Sequence, residues 1–152
     1  MFKYIDRKKQ KTIVFVPGWA FDSRIFGSVD MPYDYLLFDG RTMADFEKGL
    51  EDYLRQTNTK KISLFGWSQG AFAASSFAAG HGDVVDEVIL VGAKRRYEEG
   101  ALEIVRGLLK KNRRGYLHSF YKGCFSPKEA DSYVQLRKTL LKDYIEDLPI
   151  DG

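Results

Sequence analysis

Ile62-Ser63-Leu64-Phe65-Gly66-Trp67-Ser68-Gln69-Gly70-Ala71-Phe72-Ala73-Ala74 is the stretch whose reading decides the fold. A short apolar run predicts a buried strand, Gly66 to Gly70 has the pattern G-x-S-x-G, and a small-residue segment of helical character follows at once. The spacing has a steric reason. A serine on a sharp strand-to-helix turn projects its hydroxyl, and a side chain at either glycine would collide with the neighbouring strand or helix. The helix starting at the serine points its positive dipole end at the place where an oxyanion would form. Ser68 is therefore the candidate nucleophile, against the bland alternative of a glycine-bounded turn.

The residues on either side supply the sheet. Phe2 to Ile5 predicts a short edge strand, and Thr12-Ile13-Val14-Phe15-Val16 is apolar without alternation, as expected of a strand covered on both faces. Pro17-Gly18-Trp19-Ala20 must then leave the sheet. Tyr35-Leu36-Leu37-Phe38 predicts the next strand, ending in Asp39-Gly40-Arg41. Ala44 to Arg55 carries Phe46, Leu50, Tyr53 and Leu54 at helical spacing. Asp86 to Gly92 predicts a strand after the central helix. Strands separated by helices in this rhythm imply a mostly parallel sheet in a three-layer α/β domain, with ligands off the carboxyl ends of the strands, where Trp19, Ser68 and Gly92 fall.

After Gly92 the pattern turns helical. Tyr97 to Leu109 places Ala101, Leu102, Val105, Leu108 and Leu109 on one face, and Arg113 to Phe120 predicts a shorter helix. Ser126-Pro127-Lys128-Glu129 is a capping box opening a helix that runs through Val134, Leu140, Leu141, Tyr144 and Ile145 to Leu148-Pro149. The expected organisation is a core over 1–93, a helical insertion over 94–149 and a tail over 150–152.

At 152 residues and 44% hydrophobic content the chain can bury a real core, and a formal charge of +3 gives no global sign of a nucleic-acid binder. Its single cysteine, Cys124, excludes an internal disulfide and is expected to be a partly buried, unreactive residue in a reducing compartment. No apolar run approaches the ~20 residues that span a bilayer, and the N-terminus has no signal-peptide core. A soluble, cytoplasmic protein without membrane contact is expected.

The order of strand, glycine turn, strand, helix, elbow strand, helix, strand and helical insertion resembles the α/β-hydrolase superfamily. Val16-Pro17-Gly18-Trp19, Gly66-Trp67-Ser68-Gln69-Gly70 and the ending of the insertion are most similar to the pimeloyl-acyl carrier protein methyl ester esterases of biotin synthesis. The resemblance implies Ser68 as nucleophile and the backbone N–H groups of Trp19 and Gln69 as oxyanion hole. It makes residues 94–149 a lid, with Trp19, Phe120 and Tyr121 as candidate acyl contacts. Pro17 stands where the family's His-Gly pair has histidine, which leaves the role of the Trp19 N–H intact. The family's acid and general-base histidine follow the lid, where this chain stops at Ile150-Asp151-Gly152, so the chain looks like an N-terminal part. The resemblance calls for no cofactor and no metal.

Two histidines remain as substitutes. His81 lies about 13 residues beyond Ser68, close to 20 Å along a helix, and cannot be the base. It reads as a polar residue in the helix-ending loop Gly80-His81-Gly82. His118 reads as an ordinary lid residue. Asp22, Asp39, Asp83 and Asp86 read as caps and loop acids.

Lys94, Arg95, Arg96, Arg106, Lys110, Lys111, Arg113, Arg114 and Lys122 gather in the helical half against Glu98, Glu99 and Glu103. They form either a solvated face or a docking patch for an acidic acyl carrier protein, centred on Arg106, Lys110, Arg113 and Arg114. Phe120 and Tyr121 are either lid core or acyl contacts. Two functions stay open: a serine carboxylic-ester hydrolase acting on a carrier-bound acyl methyl ester, or a truncated or inactive relative that binds an acyl ligand or carrier without turnover. With the family's later strands missing, Val88 to Val91 is expected to be a sheet edge prone to self-association.

Overall fold

The structure, a computed structural model, describes residues 1–40, 42–96, 98–125 and 131–147. Arg41, Tyr97, the capping box Ser126 to Glu129, Leu148-Pro149 and the tail lie outside the described residues. The chain divides into two units, Met1–Lys94 and Arg95–Asp151.

In the first unit the β-branched and aromatic runs become strands as expected. Five of them, β1 (Phe2–Ile5), β2 (Thr12–Val16), β3 (Asp34–Phe38), β4 (Ile62–Trp67) and β5 (Val85–Val91), pair in the order β1-β3-β2-β4-β5. β1 is antiparallel to β3 and every other pairing is parallel. The register sets Val16 beside Gly66 and Trp67 beside Val91, so the strands' carboxyl ends meet at one edge.

The pleat divides the core in two. Val14, Val16, Leu36, Phe38, Ile62 and Leu64 face Phe46 and Leu50 of α1 (Met43–Thr57) and Ala73, Ala74 and Phe77 of α2 (Gln69–Gly80). On the other face, Ile13, Phe15, Tyr35 and Leu37 pack with Phe26 from a 3-10 turn, Ser23–Phe26, and with Ile25, Val29, Met31 and Tyr33 around it. Phe15 sits at the centre of that layer, its ring 4.8 Å from Phe26, 4.9 Å from Tyr35 and 5.2 Å from Phe65. α1 is longer than its apolar spacing predicts because both ends are capped. Thr42 Oγ1 accepts the N–H of Asp45 at 3.1 Å, and Asn58 closes the C-terminus in the left-handed region at φ 52°.

β5 lies at the edge of the sheet. Val88, Leu90 and Val91 keep 38%, 43% and 42% of their surface, although the run is apolar enough for a covered strand. Among the described residues β5 pairs with β4 alone.

In the second unit, α3 (Glu99–Cys124) and α4 (Asp131–Asp147) pack on each other, with Leu109, Leu117, Tyr121 and Leu140 buried. The two helices predicted before the capping box are one element broken at Asn112, whose φ of −156° and ψ of 77° are not helical. Asn112 Oδ1 accepts the N–H of Gly115 at 2.9 Å and so caps the second half. The apolar face predicted for the first half is mostly uncovered: Leu109 is buried, while Ala101, Leu102 and Leu108 are exposed. Cys124 is exposed rather than partly buried, because the last turn of α3 leaves it at the surface.

One buried acid stitches the first strand to the sheet. Asp34 accepts hydrogen bonds from the Tyr4 hydroxyl at 2.7 Å and from the N–H groups of Arg7 at 2.7 Å and Lys9 at 3.0 Å. The Tyr4 hydroxyl first, then the backbone donors, hold the Asp34 carboxyl below its ordinary 3.8, and the same bond pushes Tyr4 up to about 12. The depressed acid contributes stability above pH 3.8 that is lost as pH falls through its folded value. The raised phenol contributes stability below pH 10.0 that is lost as pH rises towards 12. Thermal melts should therefore show wild-type stability falling between pH 10.0 and about 12 by a component that Tyr4→Phe lacks. Asp34→Ala should lower the midpoint at neutral pH by several degrees, since it strands two backbone donors.

Candidate active site

β4 ends at Trp67 and α2 begins at Gln69, so the whole change of direction falls on Ser68. Its backbone sits at φ 54°, ψ −118°, the mirror image of the extended region, which a residue with a Cβ enters only under strain. The turn is held from both sides. Ser68 N–H donates to the Val91 carbonyl at 2.8 Å, tying it to the end of β5, and the Ser68 carbonyl accepts the N–H of Ala71 at 3.0 Å.

The two flanking glycines are there because backbone occupies the space a side chain would need. A Cβ at Gly66 would lie 2.6 Å from Ala71 Cα and from the Gly70 carbonyl oxygen. At Gly70 it would lie 2.2 Å from the Val16 oxygen and 2.5 Å from the Pro17 oxygen. Neither contact can be relieved by rotating a side chain.

Gly18 brings the first loop against the serine. A Cβ there would stand 3.1 Å from Ser68 Cβ and 3.6 Å from Oγ, so the backbone next to Trp19 runs beside the hydroxyl. The loop closes immediately, Phe21 N–H donating to the Gly18 carbonyl at 3.2 Å, with buried Ala20 in the left-handed region at φ 61°. That non-glycine residue gave no signal in the sequence. The Phe21 ring then packs edge-on against Trp67 at 4.8 Å, and a Cβ at Gly92, which sits at φ 61°, would stand 3.8 Å from the Trp67 indole. The loop at Trp19, the elbow at Ser68 and Gln69, and the end of β5 are thus brought together. Gln69 opens α2 at its positive dipole end.

The other predicted residues lie elsewhere. His81 caps the far end of α2, 13 residues and about 20 Å of helix from Ser68. Asp22 and Asp39 serve the 3-10 turn, accepting the N–H groups of Arg24 and Ser23 at 3.0 Å each, and Asp86 pairs with Lys11 at 2.8 Å. In the second unit, His118 is exposed. Tyr121 is fully buried, and half-buried Phe120 lies 5.5 Å from its ring. Of the four basic residues, Lys110 and Arg114 are exposed. Arg106 pairs with Glu103 at 2.6 Å, and Arg113 donates to the Ile145 carbonyl at 3.3 Å.

Comparison with solved structures gives the fold. A hydrolase from Oleispira antarctica superposes with a TM-score of 0.72 at 15% identity, over 98% of this chain and 64% of that one. An esterase from Exiguobacterium antarcticum gives 0.73 at 16%, over 98% and 64%. A bromoperoxidase from Bacillus anthracis gives 0.72 at 16%, over 93% and 63%. The fold is that of the α/β-hydrolases, with a mostly parallel sheet, and the chain spans under two thirds of the length of these neighbours. No protein-family model and no curated protein matches the sequence. No helix among the described residues is long and apolar enough to cross a membrane.

Relief and insertion at the elbow should have opposite signs. Ser68→Gly should raise unfolding free energy by about 1 kcal/mol, since glycine enters the mirror region without strain. Gly70→Ala should lower it by about 1–3 kcal/mol or more, because the added methyl meets two carbonyls. Denaturant titration of the three chains measures both.

Proposed function

We propose that this chain is a serine carboxylic-ester hydrolase with Ser68 as the nucleophile. The observation that supports it is the strained backbone of Ser68, maintained by two glycines and the Val91 carbonyl at the carboxyl edge of the sheet. In this reading Ser68 Oγ bonds to the ester carbonyl carbon as its proton passes to a base. The N–H groups of Trp19 and Gln69 donate to the resulting oxyanion, the alcohol leaves with a proton, and water then releases the acid. Trp19 is the residue we assign to the acyl chain.

For the substrate we propose an acyl methyl ester of the pimeloyl type, carried on an acyl carrier protein in the cytoplasm. Its acidic surface would meet Lys110 and Arg114, the two docking residues whose side chains stay exposed, with Arg106 and Arg113 beside them in sequence. Nucleic acid and membranes are not part of this reading. We also propose that β5 pairs with a second copy through its outer edge, because it carries exposed Val88, Leu90 and Val91 and, among the described residues, pairs with β4 alone.

A second reading, binding of an acyl ligand or carrier protein without turnover, is favoured by one observation. His81 is at the wrong end of α2 and is engaged there with Phe77 and Glu51. Without a general base the rate would fall by roughly 10⁴ to 10⁶.

A fluorophosphonate probe separates the readings. Stoichiometric labelling that Ser68→Ala abolishes supports the hydrolase. Absence of labelling, alongside retained binding of an acylated carrier, supports the second reading. Reversing Lys110 and Arg114 to glutamate should slow carrier association about tenfold at low salt and flatten its salt dependence, while leaving a small free ester unaffected.

A further inference from the structure

Away from the elbow, α1 and the end of α2 bring Glu47, Glu51 and His81 together, with one ligand atom from each within 4.8 Å of the others. Sequence pattern marks only two of these three residues. Glu47 and Glu51 are four apart and share a face of α1, where two like charges repel. The third member arrives from the loop that ends α2.

The hydrogen bonds of His81 decide what the cluster wants. Its Nδ1 lies 3.0 Å from the Phe77 carbonyl oxygen, which can only accept, so Nδ1 carries the proton. Its Nε2 lies 3.1 Å from a Glu51 carboxylate oxygen, also an acceptor. A neutral ring would point its lone pair at an anion, so the arrangement needs a positive species at Nε2, either a proton or a metal ion. The ring is held for this role, stacked on Phe77 at 4.1 Å with 9° between the planes. A ligating histidine typically donates its other N–H to a carbonyl, which is the bond Nδ1 makes. The carboxyl end of α2 adds negative potential at the same place.

We propose that Glu47, Glu51 and His81 bind a divalent transition-metal ion that clips α1 to the end of α2. Donors about 2.0–2.2 Å from a tetrahedral ion lie about 3.4 Å apart. The pair of Nε2 and Glu51 is already near that spacing at 3.1 Å, and a Glu47 oxygen lies within 4.8 Å of both. One imidazole with two carboxylates suits Zn²⁺, Co²⁺ or Mn²⁺, and water completes the coordination. Mg²⁺, which prefers oxygen ligands alone, should bind far more weakly. The side chains of His81 and Glu51 are 28% and 43% exposed, so an ion reaches the site without unfolding.

The test uses the full chain carrying Cys124→Ser, which removes an exposed thiol that would itself take zinc. Chelator-stripped protein is titrated with Zn²⁺ against a competing indicator dye, and melting is followed with Zn²⁺, with Mg²⁺ and with EDTA. The expected result is one site, a Zn²⁺-dependent rise in melting temperature, and a loss of affinity greater than about 10-fold in His81→Ala, Glu51→Gln and Glu47→Gln. Asp83→Asn should leave the affinity unchanged. Glu47→Gln keeps the ring, the Phe77 bond and the Glu51 contact, so its effect stands even where His81→Ala folds poorly. Absence of binding, or binding untouched by Glu47→Gln and Glu51→Gln, overturns the proposal. So does a melting temperature that ignores Zn²⁺, which would make the positive species a proton.

Discussion

At the elbow, backbone occupies the space a side chain would need: the carbonyls of Val16 and Pro17 stand where a Cβ on Gly70 would go, and the Gly70 carbonyl and Ala71 Cα stand where one on Gly66 would go. These contacts fix how far α2 stands from β2 and β4, and that distance fixes the path of the chain at Ser68. Because carbonyl oxygens cannot move aside as a side-chain tip can, the constraint is rigid. A strained serine is the result of geometry that the rest of the sheet imposes, and the many parallel hydrogen bonds around it hold the residue in a conformation it would not choose alone.

The same constraint explains why this part was legible in sequence. A glycine required by backbone crowding leaves a mark that no other residue can substitute, so Gly66 and Gly70 locate the turn, and the apolar runs before and after it locate the strands. Asp34 left no such mark. It sits at the start of a strand like any turn-forming acid, and its three donors come from residues 25 to 30 positions earlier, a distance over which spacing carries no information. In sequence His81 reads as a loop residue for the same reason, its carboxylate partner being 30 positions away.

The helical half shows the opposite balance. Its break was visible, because apolar periodicity lapses around Lys110-Lys111-Asn112, and an asparagine there supplies a cap to the next turn. Which face each half buries was not visible. Periodicity says that Leu102, Leu108 and Leu109 share a side, yet only Leu109 is covered, since a stripe of apolar residues specifies a surface to hide and not the neighbour that hides it. The basic residues had the same ambiguity. Arg106 proved to have a local partner, a glutamate one turn away, and Arg113 donates to a carbonyl of α4, whereas Lys110 and Arg114 are exposed.

The chain's only two tryptophans, Trp19 and Trp67, lie on the first-loop and elbow segments that meet at Ser68, and its only thiol, Cys124, lies in the other unit. The protein therefore comes with a built-in optical ruler. Indole emission originates solely from the neighbourhood of the serine, and a thiol-reactive acceptor can attach at a single exposed point at the end of α3. Energy transfer between the two would track the spacing of the units with no residue exchanged, and quenching of the indoles alone would sense an acyl chain arriving at the elbow.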